Sequence, residues 1–141
     1  MSTSASMHKR AYIIFAICFC VILAFIMYLS YSRYAHEPMM QFVTSSQARV
    51  KLIEHRDAFI LDVRSSEEFY ASRIQGAVNI PYLAIREEES KLPQDRHAPL
   101  FVYCRTGRRA AIAANELLDL GFSNIIVFPG MATWDYETVS G

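Results

Sequence analysis

Residues 101–114 read FVYCRTGRRAAIAA, and their middle, Cys104-Arg105-Thr106-Gly107-Arg108-Arg109, sets one cysteine among three arginines. The flanks decide what that means. Pro99 to Tyr103 (PLFVY) is a short apolar run of the kind that forms a strand buried on both faces. Arg108 to Leu120 carries Ala111, Ile112, Leu117, Leu118 and Leu120 at helical spacing and is ended by Gly121. Cys104 therefore stands between the carboxyl end of a strand and the N-terminus of a helix.

Working outward, strand and helix patterns alternate. Thr44-Ser45-Ser46 offers N-caps for a helix through QARVKLIEH, with Val50, Leu52 and Ile53 as its expected apolar face. Phe59-Ile60-Leu61-Asp62-Val63 reads as a strand. Ser65-Ser66-Glu67-Glu68 caps a short helix with acids in its first turn. Ala77-Val78-Asn79-Ile80 is a second strand, stopped by Pro81, and Tyr82 to Leu92 reads as a solvated helix. Ile125-Ile126-Val127-Phe128 is a further strand, followed by Pro129-Gly130 and a short helix containing Trp134. Strands separated by helices imply right-handed crossovers and an α/β fold, a mainly parallel sheet with helices on both faces. Ligands of such sheets bind at the carboxyl ends of the strands, which is where Cys104 falls.

Three features of the loop favour a thiolate over a thiol. Backbone N–H groups of residues 105–109, curled round the sulfur, would aim donors at a negative charge. The helix that follows adds its positive N-terminal end. Arg105, Arg108 and Arg109 add full charges, and Gly107 permits backbone angles closed to other residues. A cysteine merely buried in a strand–helix junction would need no such company.

Composition bounds the rest. Net charge is zero over 141 residues, so bulk charge gives no reason to expect nucleic acid as a partner. Hydrophobic content is 52%, and the excess sits in Ala11 to Leu29, which contains no charge, Asn, Gln, Pro or Gly. As a helix it is roughly 28 Å long, close to the hydrocarbon thickness of a bilayer. An uncleaved transmembrane anchor is expected; a signal peptide, with His8-Lys9-Arg10 as basic region and Ser30-Tyr31-Ser32 as cleavage site, is the alternative. Lys9 and Arg10 before the span, against Arg33 and Glu37 after it, place residues 1–10 in the cytoplasm. The expected order is then helix 11–29, linker 30–40 and one domain at 41–141, on the periplasmic side of a bacterial inner membrane. Cys18 and Cys20 lie inside the span, so Cys104 has no disulfide partner within the domain. His8, His36, His55 and His97 are scattered without metal-ligand spacing, Glu87-Glu88-Glu89 reads as an exposed face, and no nucleotide loop is present; no metal or other cofactor is expected.

CRTGRR, with its Cys-x-x-Gly-x-Arg spacing, resembles the active loop of rhodanese-like sulfurtransferases. Three other stretches resemble that family in the same order: FILDVRSSEEF at 59–69, IQGAVNIP at 74–81 and FPGMATW at 128–134. Arg73-Ile74 stands where the family commonly has His-Ile, and Pro129 replaces the first glycine of the closing motif. The resemblance implies a rhodanese-like three-layer domain and a persulfide relay. Cys104 would take a sulfur from an anionic donor such as thiosulfate and pass it to cyanide, a thiol or a protein cysteine. Arg105 and Arg108 would draw in the donor, with Thr106, Gly107 and Arg109 completing the substrate-binding loop. Arg109 is also expected to pair with Asp62, and Arg64 to serve as a fold ion pair. Two other readings stand beside this one. A rhodanese-like module that only binds a partner protein would use the same fold. A cysteine phosphatase or arsenate reductase needs Cys and Arg six positions apart, where this chain has Ala110.

Overall fold

The computed structural model describes residues 3–34 and 39–141, with side chains described for 12–31 and 39–141. The charges of Lys9, Arg10, Arg33 and Glu37, on which the expected orientation rests, lie outside the described side chains, as do His8 and His36. Residues 35–38 of the expected linker lie outside the described residues. The chain divides into an N-terminal helix and a domain, taken in turn.

Helix α1 runs Thr3–Tyr34. Its stretch Tyr12–Tyr31 has a mean hydropathy of 2.8, long and apolar enough to cross a membrane, as a signal sequence also is.

The domain is built on five parallel strands in the order β1-β6-β5-β2-β4, formed by β1 (Met39–Phe42), β2 (Phe59–Asp62), β4 (Val78–Asn79), β5 (Leu100–Tyr103) and β6 (Asn124–Phe128). A small antiparallel pair joins β3 (Arg73–Ile74) to β7 (Thr138–Val139). Strand β5 lies in the middle and is buried along its whole length. Its residues alternate between the two faces, as strand geometry requires. Leu100, Val102 and Cys104 join Leu61, Val63, Ile125 and Val127 in one core cluster, against Ala110, Ala113, Ala114 and Leu117 of α4 (Arg108–Asp119). Phe101 and Tyr103 join Ile126 and Phe128 in the other, with Ala48 of α2 (Ser45–Glu54). The result is helix on sheet on helix, the three-layer α/β architecture expected from the sequence.

Helix starts agree with the capping residues. Thr44 forms a capping box with Gln47 before α2, and Ser65 forms one with Glu68 before α3 (Ser66–Ala71). The buried faces differ from expectation. Val50 and Ile53 are 57% and 53% exposed, and α2 packs through Ala48 and Leu52 instead. In α4 the inward stripe is alanine-rich, and Ile112 points out. Small residues face the sheet in both helices, which lets their backbones approach it closely.

Tyr82–Leu92 is not a regular helix. Ala84 and Glu88 donate to Pro81 and Ala84 in successive turns, and a 3-10 turn covers Glu89–Lys91. Ile85 and Leu92 are buried in the α4-side cluster, and Tyr82 and Ala84 pack against it. Glu88 pairs with Lys91 and Glu89 with Arg96. The expected helix at Trp134 is a 3-10 turn over Gly130–Ala132, which ends before the tryptophan. Strand β1 was not anticipated. It forms the sheet edge by pairing Met39–Phe42 with Asn124–Val127.

The carboxyl end of β2 carries a buried ion pair. Arg64, 5% exposed, donates to Asp62, 0% exposed, at 2.6 to 3.0 Å, and also to the carbonyl of Ser72 at 2.6 Å. The expected partner of Asp62 was Arg109; Arg64 takes that place because it lies two residues along the same turn and is already inside. Removing one member of a buried pair strands the other charge. Asp62→Ala is expected to cost about 3–5 kcal/mol of unfolding free energy, read from urea denaturation.

Candidate active site

Strand β5 ends at Tyr103, and Cys104 follows it into the interior, 1% exposed. The chain then turns through Arg105 and Thr106, both exposed, to Gly107. Gly107 has φ +92° and stands at the N-cap of α4, a conformation that side chains with a Cβ rarely adopt. Its N–H donates to Cys104 Sγ at 3.1 Å. Among the described residues it is the main-chain N–H that reaches the sulfur, where several had been expected to gather.

The loop is clamped from the segment after β6. Met131 N–H donates to the Cys104 carbonyl at 3.1 Å, and Ala132 N–H to the Arg105 carbonyl at 2.9 Å. That approach requires Gly130, whose φ is +72° and where an added Cβ would lie 2.5 Å from the Cys104 carbonyl oxygen and from Tyr103 Cδ2. So the second residue of the Pro129-Gly130 pair, not the first, carries the steric demand here.

The three loop arginines part company. Arg109 makes a two-pronged pair with Glu68 of α3, Nη1 to Oε2 at 2.6 Å and Nη2 to Oε1 at 2.9 Å. It does not pair with Asp62. That partner is taken, and Glu68 faces the first turn of α4 across the sheet end. Hydrogen bonding to Arg109 holds the Glu68 carboxyl down to about 2, against an ordinary value of 4.5. The same bond raises Arg109 against the cost of burial, with smaller contributions from the Glu68 charge and the Cys104 sulfur. Glu68 Oε2 also accepts the Ser65 N–H at 3.2 Å, so one carboxylate caps α3 and holds α4. Arg105 and Arg108 have no ion-pair partner among the described residues.

Each free arginine borders a cavity beside the loop. One, of about 430 Å³, is lined by Arg105, Arg64, Glu68, Ser72 and Met131. The other, of about 280 Å³, is lined by Tyr82, Thr106, Arg108, Arg109 and Ile112.

Asp62 and Arg64 lie behind the loop as support. Arg64 stands 5.8 Å from the centre of the Tyr103 ring, and the Tyr103 hydroxyl accepts the Ile74 N–H at 3.1 Å. Burial, and next the Asp62 charge, push the Tyr103 hydroxyl far up, so it stays protonated. Asn79 donates to the carbonyls of Asp62 and Arg64 at 2.9 and 3.0 Å. Glu68, Gly130 and Asn79 were not singled out from sequence. The Ser-x-x-Glu capping box marks Glu68 only as a helix cap, and its second partner is 41 residues away.

The chain belongs to the rhodanese-like domain family, whose model matches residues 46–135. It is 35% identical to the putative sulfur carrier protein YrkF of Bacillus subtilis over 56% of this chain and 42% of that one. It is 31% identical to the thiosulfate sulfurtransferase PspE of Escherichia coli over 46% of this chain and 62% of that one. The match thus spans less than two thirds of either relative. Its fold is similar to that of a rhodanese-related protein from Thermoplasma volcanium, with a TM-score of 0.61 and 27% identity over 72% of this chain and 99% of that one.

Two predictions follow from this geometry. Gly130→Ala is expected to destabilise the domain by at least about 2 kcal/mol, through left-handed strain and overpacking, measured by urea denaturation. Glu68 bound to Arg109 has a depressed folded-state pKa, so its contribution is complete above about 4.5 and is lost as pH falls towards about 2. The difference in thermal midpoint between wild type and Glu68→Gln is therefore expected to shrink across that window; a constant difference would contradict the pair's role.

Proposed function

We propose that the domain is a sulfurtransferase in which Cys104 carries the transferred sulfur as a persulfide. The observation that carries this reading is the loop itself. A buried sulfur at the carboxyl end of the central strand takes a main-chain N–H from Gly107, and the same loop carries two exposed arginines without ion-pair partners among the described residues. In the first displacement the Cys104 thiolate attacks the outer sulfur of thiosulfate. A sulfur–sulfur bond forms to Cys104, the bond to the sulfonate sulfur breaks, and sulfite leaves with the electron pair. In the second, cyanide or a thiolate attacks the outer sulfur of Cys104–S–S⁻, taking it as thiocyanate or a new persulfide and returning the Cys104 thiolate. Neither step needs a cofactor. Arg105 and Arg108 supply charge for the anionic donor. The Gly107 N–H, which meets the resting sulfur, would hold negative charge on the persulfide. Arg109, committed to Glu68, positions the helix that carries this amide. The names of the relatives support sulfur transfer in general, and the choice of thiosulfate is part of the proposal.

The apolar helix supports a further part of the proposal, a single-pass anchor holding the domain at the periplasmic face of a bacterial inner membrane. A protein cysteine near that membrane surface would be an acceptor alongside small thiols.

Intact-mass measurement after thiosulfate treatment tests the chemistry. A gain of about 32 Da, removed by cyanide and absent in Cys104→Ser, is the expected result. Cys104→Ser should abolish transfer and leave the unfolding midpoint nearly unchanged. Folded protein that gains no sulfur would instead favour a module that binds a partner without catalysis.

A further inference from the structure

A third cavity, of about 250 Å³, lies between α2 and the C-terminal segment, and the reaction above does not use it. Its walls are apolar where they meet the sheet: Leu52, Ile60, Ile74 and Trp134. Arg49 of α2 and Arg56 of the turn after it give the cavity two cations, with His55 beside them. Arg49 stands 5.5 Å from the centre of the Tyr136 ring, which itself packs edge-on against Trp134. Among the described residues neither Arg49 nor Arg56 has an ion-pair partner, although Glu137 lines the same cavity.

We infer that this cavity binds a small organic anion with an apolar body, an aryl or alkyl carboxylate or sulfonate. The two halves of the lining require the two halves of the ligand. A bare inorganic oxyanion would satisfy the arginines and leave the apolar wall wet. A neutral hydrocarbon would fill the wall and leave both cations unpaired. An acid carried on one ring or a short chain does both, and the volume holds about one ring with a short side chain. Arginine suits the acid group because its planar donors match a carboxylate or sulfonate edge. The inference stands apart from sulfur transfer, since this cavity shares no lining residue with the two beside the Cys104 loop.

Trp134 is the only tryptophan in the chain, so it reports on its own cavity. The probe is (4-nitrophenyl)acetic acid, whose nitroaromatic ring quenches tryptophan emission on contact, titrated into the full chain in a non-ionic detergent. Saturable quenching is expected, with a dissociation constant on the order of 1 mM or tighter. Arg49→Ala combined with Arg56→Ala should weaken it about tenfold, with the near-ultraviolet dichroism unchanged. The primary amide of the same acid should also bind about tenfold more weakly to the wild-type protein, a comparison that needs no variant to fold. Quenching that rises linearly without saturation, or equal affinity for acid and amide, would overturn the inference.

Discussion

The carboxyl end of the sheet is held by one buried ion pair, and the candidate site is assembled outward from it. Asp62 closes β2, and Arg64 folds back onto it while reaching the carbonyl of Ser72 at the end of α3. Those contacts set where α3 lies. Helix α3 then presents Glu68 to Arg109, which fixes the first turn of α4. The first turn of α4 places the Gly107 N–H on the Cys104 sulfur. Three contacts thus follow one another from a fully buried pair, through a partly exposed pair, to a single amide. A buried charge left without its partner is costly, so the line resists being opened from its inner end.

The loop is also gripped from the other side. The amides after Gly130 take the carbonyls of Cys104 and Arg105. Two clamps, one ionic and one main-chain, leave Arg105 and Arg108 as the parts of the loop that remain exposed and unpaired. That division separates the arginine held by Glu68 from the two that have no ion-pair partner among the described residues. It explains how three cations can stand within six residues: one is neutralised by Glu68, and the others keep their charge for solvent or substrate.

Much of this was legible in the sequence. The apolar run of β5 followed by Cys104 and a helix placed the cysteine at a strand's carboxyl end, because strand burial and helix capping are local properties. The capping residues Thr44 and Ser65 marked their helices for the same reason. The partner of Arg109 was not legible. Asp62 and Glu68 are both acids at plausible distance along the chain, and only the packing of α3 against α4 chooses between them. Nor were the buried faces of α2 and α4, where alanines face the sheet and larger apolar residues stay outside. The shape of Tyr82–Leu92 was hidden too, since Ile85 and Leu92 stand at a spacing that a helix would also give, and the segment folds as successive turns.

Sequence alone therefore determined the strands β2, β4, β5 and β6, the helices α2, α3 and α4, the apolar span and the charge concentrated in CRTGRR, because each depends on neighbours a few residues apart. Tertiary structure decided which acid holds which arginine, why Gly130 must lack a side chain, and that Arg49, Arg56 and Trp134 share one cavity. Those are contacts between elements far apart in the chain. They exist only once the sheet has brought its ends and faces together.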